Sequence, residues 1–129
     1  MQNPIRVLIV LDSLNRGGAE TMVMNLLNHI DRNKVTYDFA LHTQQKCDYE
    51  DEALQLGSCV YRFPRFNGRN FIEYSRAWKK FFSENKQYKI VHGHLSSSGF
   101  LYMSIAKRNG CYVIGHSHTA QFRRGLPGI

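Results

Sequence analysis

The sequence predicts an α/β domain: a parallel sheet with helices on both faces and its strands in the order 3-2-1-4-5. Three observations lead there. Apolar runs of strand length alternate along the 129 residues with segments of helical periodicity, a pattern that selects right-handed crossovers and a parallel sheet. The first run, residues 7–11, reads Val-Leu-Ile-Val-Leu without alternation, as expected of a strand buried on both faces. Turn-forming residues, glycine above all, punctuate the boundaries between these segments.

The elements follow in order. After the strand at 7–11 and a polar turn at 12–16, Gly17-Gly18 opens a helix whose apolar positions are Ala19, Met22, Val23, Leu26, Leu27 and Ile30. Glu20 lies in its first turn, where a carboxylate favours the helix dipole. A polar turn at 31–34 leads to a second strand at 35–42. A short helix fits 49–56, with Asp48, Glu50, Asp51 and Glu52 at its start and Gly57 as C-cap. The third strand, 59–63, is stopped by Pro64. The helix at 71–85 carries Phe71, Tyr74, Trp78, Phe81 and Phe82 as a core stripe. A fourth strand at 89–92 runs into Gly93-His94, a helix spans 99–109 with Gly110 as its stop, and a fifth strand occupies 112–115. Residues 120–129 show no periodicity and read as loop.

Such a Rossmann-like three-layer sandwich binds ligands outside the carboxyl ends of its strands, at the switch point between the first and fourth. Gly17, Gly18, His94, His116 and His118 are therefore expected around one crevice. The loop after the third strand, with Arg62, Arg65, Phe66 and Arg69, belongs to the same rim.

Length allows one domain and leaves no room for a second. A net charge of +7 favours acidic partners such as nucleotide phosphates, phospholipid or nucleic acid. Three cysteines without C-x-x-C spacing argue for reduced thiols and a cytoplasmic setting rather than a disulfide framework. No stretch reaches transmembrane length, so the expectation is a soluble protein or one attached peripherally to a membrane.

Glycines at a helix start let backbone N–H groups approach a phosphate or a sugar hydroxyl, although neither G-x-G-x-x-G nor G-x-x-x-x-G-K-[ST] is present. His92, His94, His116 and His118 form His-x-His pairs at two strand ends. Zinc is one reading of them, but no cysteine or H-E-x-x-H helix supports it, and no metal is assigned. His92 reads as a core histidine and His94, at the mouth, as a hydrogen-bond donor to a sugar hydroxyl or phosphate. The serines at 96–98 and 117 lack a G-x-S-x-G elbow and read as helix caps. The arginine–aromatic loop reads either as a solvated connection or as a contact with an acidic, amphipathic acceptor or a lipid surface. Single-stranded nucleic acid is a third reading of that loop.

Arg6-Val-Leu-Ile-Val through Arg16-Gly-Gly-Ala-Glu20, Lys89-Ile-Val-His-Gly-His94 and Gly115-His-Ser-His-Thr119 stand in the order and spacing of retaining glycosyltransferases of family 4. Nearly the whole chain resembles their amino-terminal, acceptor-side domain, as in enzymes that build capsular and exopolysaccharides. The resemblance implies half of a GT-B architecture, with a nucleotide-sugar held between two domains and no metal or other cofactor required. It implies that Gly17 and Gly18 face the donor diphosphate and acceptor, that His94 approaches the transferred sugar, and that His116 and His118 lie by the acceptor cleft, with catalytic roles for His94 and His118. The region of Arg62, Arg65, Phe66 and Arg69 would face a saccharide or lipid-linked acceptor or the inner membrane surface. The family's Glu-x(7)-Glu motif lies in a carboxyl-terminal domain, and no two glutamates here have that spacing. The expectation is thus a shortened amino-terminal domain, inactive alone and prone to self-association through an exposed edge or apolar surface. The alternative is a non-catalytic module that binds a phosphate-bearing ligand or an anionic membrane.

Overall fold

The computed structural model describes residues 3–94 and 99–115, apart from the side chain of Phe100. Its elements are β1 (Ile5–Leu11), α1 (Gly18–His29), β2 (Val35–Leu41), α2 (Glu50–Gln55), β3 (Val60–Arg62), α3 (Phe71–Glu84), β4 (Ile90–Gly93), α4 (Gly99–Arg108) and β5 (Tyr112–Gly115). The five strands form one parallel sheet in the order β3-β2-β1-β4-β5, as the alternation of elements predicts.

The unbroken apolar run of β1 has a simple reason. Leu8 and Val10 face one core, with the aromatic residues of α3 and with α4, whereas Ile9 and Leu11 face the other, with α1 and α2. Alternate side chains of a central strand point to opposite faces, so both sets must be apolar. The two cores differ in kind. On the α3–α4 side Trp78 stacks on Phe63 at 3.8 Å and is flanked by Phe82 and Tyr102, while the α1–α2 side is largely aliphatic.

Several strand ends shift from the sequence reading. β1 begins at Ile5, because Ile5 N–H donates to Lys34 O at 2.8 Å and Arg6 has a partner inside the sheet. That partner is Asp38, fully buried on β2, which accepts from Arg6 Nε at 2.7 Å and Nη2 at 3.0 Å, from Cys59 N–H at 2.8 Å and from the Tyr88 hydroxyl. Its hydrogen bond to Asp38 holds the Arg6 guanidinium well above the usual arginine range, and burial pushes the Tyr88 phenol up. β3 keeps three residues, since Cys59 N–H turns to the Asp38 side chain. β4 starts one residue later than expected and includes Gly93.

Phe71 is a correction to the α3 core stripe. Tyr74, Trp78, Phe81 and Phe82 are buried, but Phe71 is 49% and its neighbour Ile72 68% exposed. All three cysteines are free thiols. Among the described residues no helix is long and apolar enough to cross a membrane.

Candidate functional site

The rim at the carboxyl ends of β1, β2 and β4 gathers the sequence-predicted residues that the structure describes. The β1–α1 loop begins at Asp12 and is pinned by Leu14, which is fully buried in the α1–α2 core. Gly17 is extended and Gly18 opens α1; a Cβ on Gly18 would meet nothing, so its backbone faces open space. Glu20 folds back over Gly17, where an added Cβ would stand 2.7 Å from Oε1. The carboxylate thus covers the positive end of the helix and supplies the negative charge that the dipole favours.

The loop is held from outside by residues that sequence reasoning assigned to a helix start. Asp48 N–H donates to Asn15 Oδ1 at 2.9 Å, and Asp48 Oδ2 accepts from Arg16 N–H at 3.0 Å. Tyr49 N–H donates to Leu14 O at 3.0 Å, its hydroxyl pairs with Thr21 Oγ1 at 2.8 Å, and the Arg16 guanidinium lies 5.6 Å from its ring centroid. The β2–α2 loop therefore presets the glycine turn. A pairing across more than thirty residues leaves no local signal, so Asp48 and Tyr49 were not legible as positioning residues.

His94 sits beside this loop, its N–H donating to Val10 O at 2.9 Å, so the chain still follows the sheet there. Its imidazole stacks on His92 with centroids 4.3 Å apart. The order of burial is the reverse of the sequence reading: His94 is only 7% exposed and His92 is half-buried. Gly93 between them is required by packing. An added Cβ would run into the Tyr102 hydroxyl and lie 2.8 Å from Met103 Cε, and one on the paired Gly115 would lie 3.2 Å from the same methyl. His116 and His118 fall outside the described residues, as do the serines at 96–98 and 117. Among the described residues no group of three metal-ligating side chains occurs.

His42, which the sequence did not single out, ends β2 at the same rim. Its N–H lies between Leu11 O and Asp12 O, its Nδ1 is 3.1 Å from Leu11 O and its Nε2 2.6 Å from the Tyr74 hydroxyl. Since a carbonyl only accepts, Nδ1 carries the proton, and neutral Nε2 accepts from Tyr74. Burial lowers the imidazole pKa, with the Leu11 carbonyl opposing.

The basic loop divides into three roles. Arg62 pairs with Glu50 at 2.6 Å and donates to Thr43 O, tying β3 to the start of α2. Phe66 packs on Tyr74 at 5.2 Å. Arg65 and Arg69 are exposed. Arg62 and Arg65 line a hollow of about 690 Å3 with His42, Gln44, Gln45 and Glu73, in which Arg62 and Gln44 already donate to Glu50, Thr43 O and Phe63 O.

The family model "Glycosyltransferase Family 4" matches residues 16–128. EpsF of Bacillus subtilis (strain 168), which bears the name of a glycosyltransferase, is 35% identical over 122 residues, covering 94% of this chain and 32% of its own length. The crystal structure of MurG from Acinetobacter baumannii superposes with a TM-score of 0.62 at 13% identity, over 96% of this chain and 40% of that one. The chain thus spans about a third of EpsF, and the likeness to MurG is one of fold. With its glycine turn, His-Gly-His strand end and nearly complete match to the family model, the chain belongs to glycosyltransferase family 4.

Proposed function

We propose that the chain is the acceptor-side domain of a retaining glycosyltransferase that moves a sugar from a nucleotide-sugar to a saccharide or lipid-linked acceptor in surface polysaccharide synthesis. The observation that carries this reading is that the Gly17-Gly18 turn, open at Gly18, and His94 follow the ends of two adjacent strands, with Val10 paired to Gly93. In this reading the glycine turn receives the donor diphosphate and acceptor. Glu20 swings off Gly17 as the anion approaches, because its carboxylate occupies the space over Gly17 and repels a second negative charge there. His94 faces the transferred sugar, and His116 and His118 border the acceptor cleft, His118 taking part in the chemistry. The leaving diphosphate takes the acceptor proton on the same face, and donors aimed at its growing charge lower the barrier. No metal is required in this scheme. The hollow of Arg62 and Arg65 takes the acceptor's polar part, in the cytoplasm at the inner face of the membrane.

The test combines the chain with a donor-side domain and follows sugar transfer from UDP- and GDP-sugars, with the anomeric configuration read by NMR. Retention is expected, with kcat ~100-fold lower for His94→Ala. Inversion, or no transfer across the donors, refutes the reading. In the latter case the alternative, a binding module for a phosphate-bearing ligand or anionic membrane, takes its place. A further part of the proposal is self-association through β5, an outer strand where Tyr112 is 69% exposed.

A further inference from the structure

The loop that joins β2 to α2 faces two ways. With Thr43, Gln44 and Gln45 it lines the hollow at the rim, and with Asp48 and Tyr49 it holds residues 14–16 just ahead of the glycine turn. One ion pair fixes its shape. Arg62, the last residue of β3, donates through Nη1 to Thr43 O at 3.2 Å and through Nη2 to Glu50 Oε1 at 2.6 Å, so a single guanidinium spans the loop from its start to its end. Gln44 Nε2 adds a second tie to β3, donating to Phe63 O at 3.2 Å. The same Glu50 Oε1 accepts Cys47 N–H at 3.0 Å, and Glu50 N–H donates back to Cys47 O at 3.2 Å. This reciprocal turn is the capping-box pattern, and the two residues it encloses are Asp48 and Tyr49, which grip the glycine turn.

Burial sets this pair apart from a surface salt bridge. The side chains of Glu50 and Arg62 are 13% and 25% exposed, whereas those of the neighbouring Lys46–Asp51 pair are both 67% exposed, a setting in which an ion pair contributes little. Without Glu50 the Arg62 guanidinium would keep its charge beside no carboxylate, and Cys47 N–H would lose its acceptor. We infer that Glu50 is a positioning residue: with Arg62 it fixes the shape of the β2–α2 loop, and through Asp48 and Tyr49 it holds the glycine turn in the form that receives an anion. Glu50 does not line the hollow, and among the described residues it bonds none of residues 12–18, so its effect passes through the loop alone. That the anion is a donor diphosphate rests on the transferase reading, whereas the positioning itself does not.

The test compares Glu50→Ala, Glu50→Gln and, as a control, Asp51→Ala. In the chain alone, hydrogen exchange at the Arg16 and Tyr49 amides is expected to quicken about tenfold in Glu50→Ala, since an acceptor and a charge partner are lost together. Glu50→Gln keeps an oxygen for Cys47 N–H and is expected to restore most of the protection, while Asp51→Ala changes nothing. Amides of α3 report the fold and keep their rates. With a donor-side domain added, Glu50→Ala is expected to raise KM for the nucleotide-sugar about fivefold with kcat within about twofold, because a turn only partly in its binding form lowers apparent affinity and leaves the bound complex as it was. Unchanged exchange at Arg16 and Tyr49, equal quickening in α3, a glutamine variant no better than alanine, or a loss confined to kcat overturns the inference. A preparation that transfers no sugar refutes the transferase reading instead, and the exchange arm still decides the role of Glu50.

Discussion

Replacing Gly93 with alanine tests whether the rim is shaped by packing rather than by turn chemistry. The new methyl group would overlap the Tyr102 hydroxyl and press to 2.8 Å on Met103 Cε, with Tyr102 Cε1 at 2.9 Å. Met103 can bend away, but Tyr102 is fully buried against Trp78, 5.3 Å from it, and has nowhere to go. Overpacking of this kind costs about 1–3 kcal/mol, since α4 must lift or β4 must sink. For a domain of this size the melting temperature falls by roughly 4 °C per kcal/mol, so a drop of about 4–12 °C is expected. The assay is thermal denaturation followed by circular dichroism, run as a double-mutant cycle with Tyr102→Phe. That second change removes the closest oxygen and is expected to recover about 1 kcal/mol of the loss, beyond its own cost. A Gly93→Ala protein within 0.5 kcal/mol of the parent, or a cycle with no coupling, would falsify the packing account and return Gly93 to a purely local role.

Other perturbations have equally definite outcomes. Arg6→Met strips the bidentate partner from the buried Asp38 carboxylate and is expected to cost about 3 kcal/mol in urea unfolding, the low end for a buried pair because Arg6 is partly solvated. His42 makes stability depend on pH. Its folded pKa lies below the unfolded value of about 6.5, so its contribution is complete above that pH and is lost as the pH falls toward the depressed value. Chemical denaturation between pH 7.5 and 5 should show this decline, and His42→Gln should flatten it. Asp48→Ala removes the acceptor of Arg16 N–H and costs about 1 kcal/mol. Hydrogen exchange at the Arg16 amide should then quicken about fivefold, while α3 amides keep their rates.

Strand order was legible from the alternation of strand and helix segments, and the unbroken apolar run at residues 7–11 marked the central strand, buried on both faces. Helix registers were legible in part: Val23 and Leu27 of α1 are buried at periodic positions, but Met22 and Leu26 are 44% and 46% exposed and Met24 is buried instead. What escaped was pairing at a distance. Arg6 reads as a polar flank until Asp38 stands beside it on β2, and Asp48 as a helix-start acid until Arg16 N–H is opposite. His42 looked like an ordinary strand end, since nothing nearby in the chain announces Leu11 O or the Tyr74 hydroxyl. Phe71 misled for the opposite reason. It keeps the spacing of the stripe but stands in the first turn of α3, half exposed and outside the aromatic core cluster. Of the candidate site, Gly17, Gly18 and His94 were reached because the topology brings the ends of β1 and β4 together, as adjacent parallel strands must.

The chain has a single tryptophan, and its indole lies wholly within the aromatic stack of Phe63, Phe82 and Tyr102. Intrinsic fluorescence is therefore a one-sided gauge. It registers loosening of the α3–α4 layer but is blind to the aliphatic layer that anchors the glycine turn. Hydrogen exchange at the Tyr49 amide, which donates to Leu14 O, supplies the other gauge. If the two layers melt together, the two readouts give the same opening; if the glycine turn loosens first, the Tyr49 amide exchanges while Trp78 still reports an intact protein.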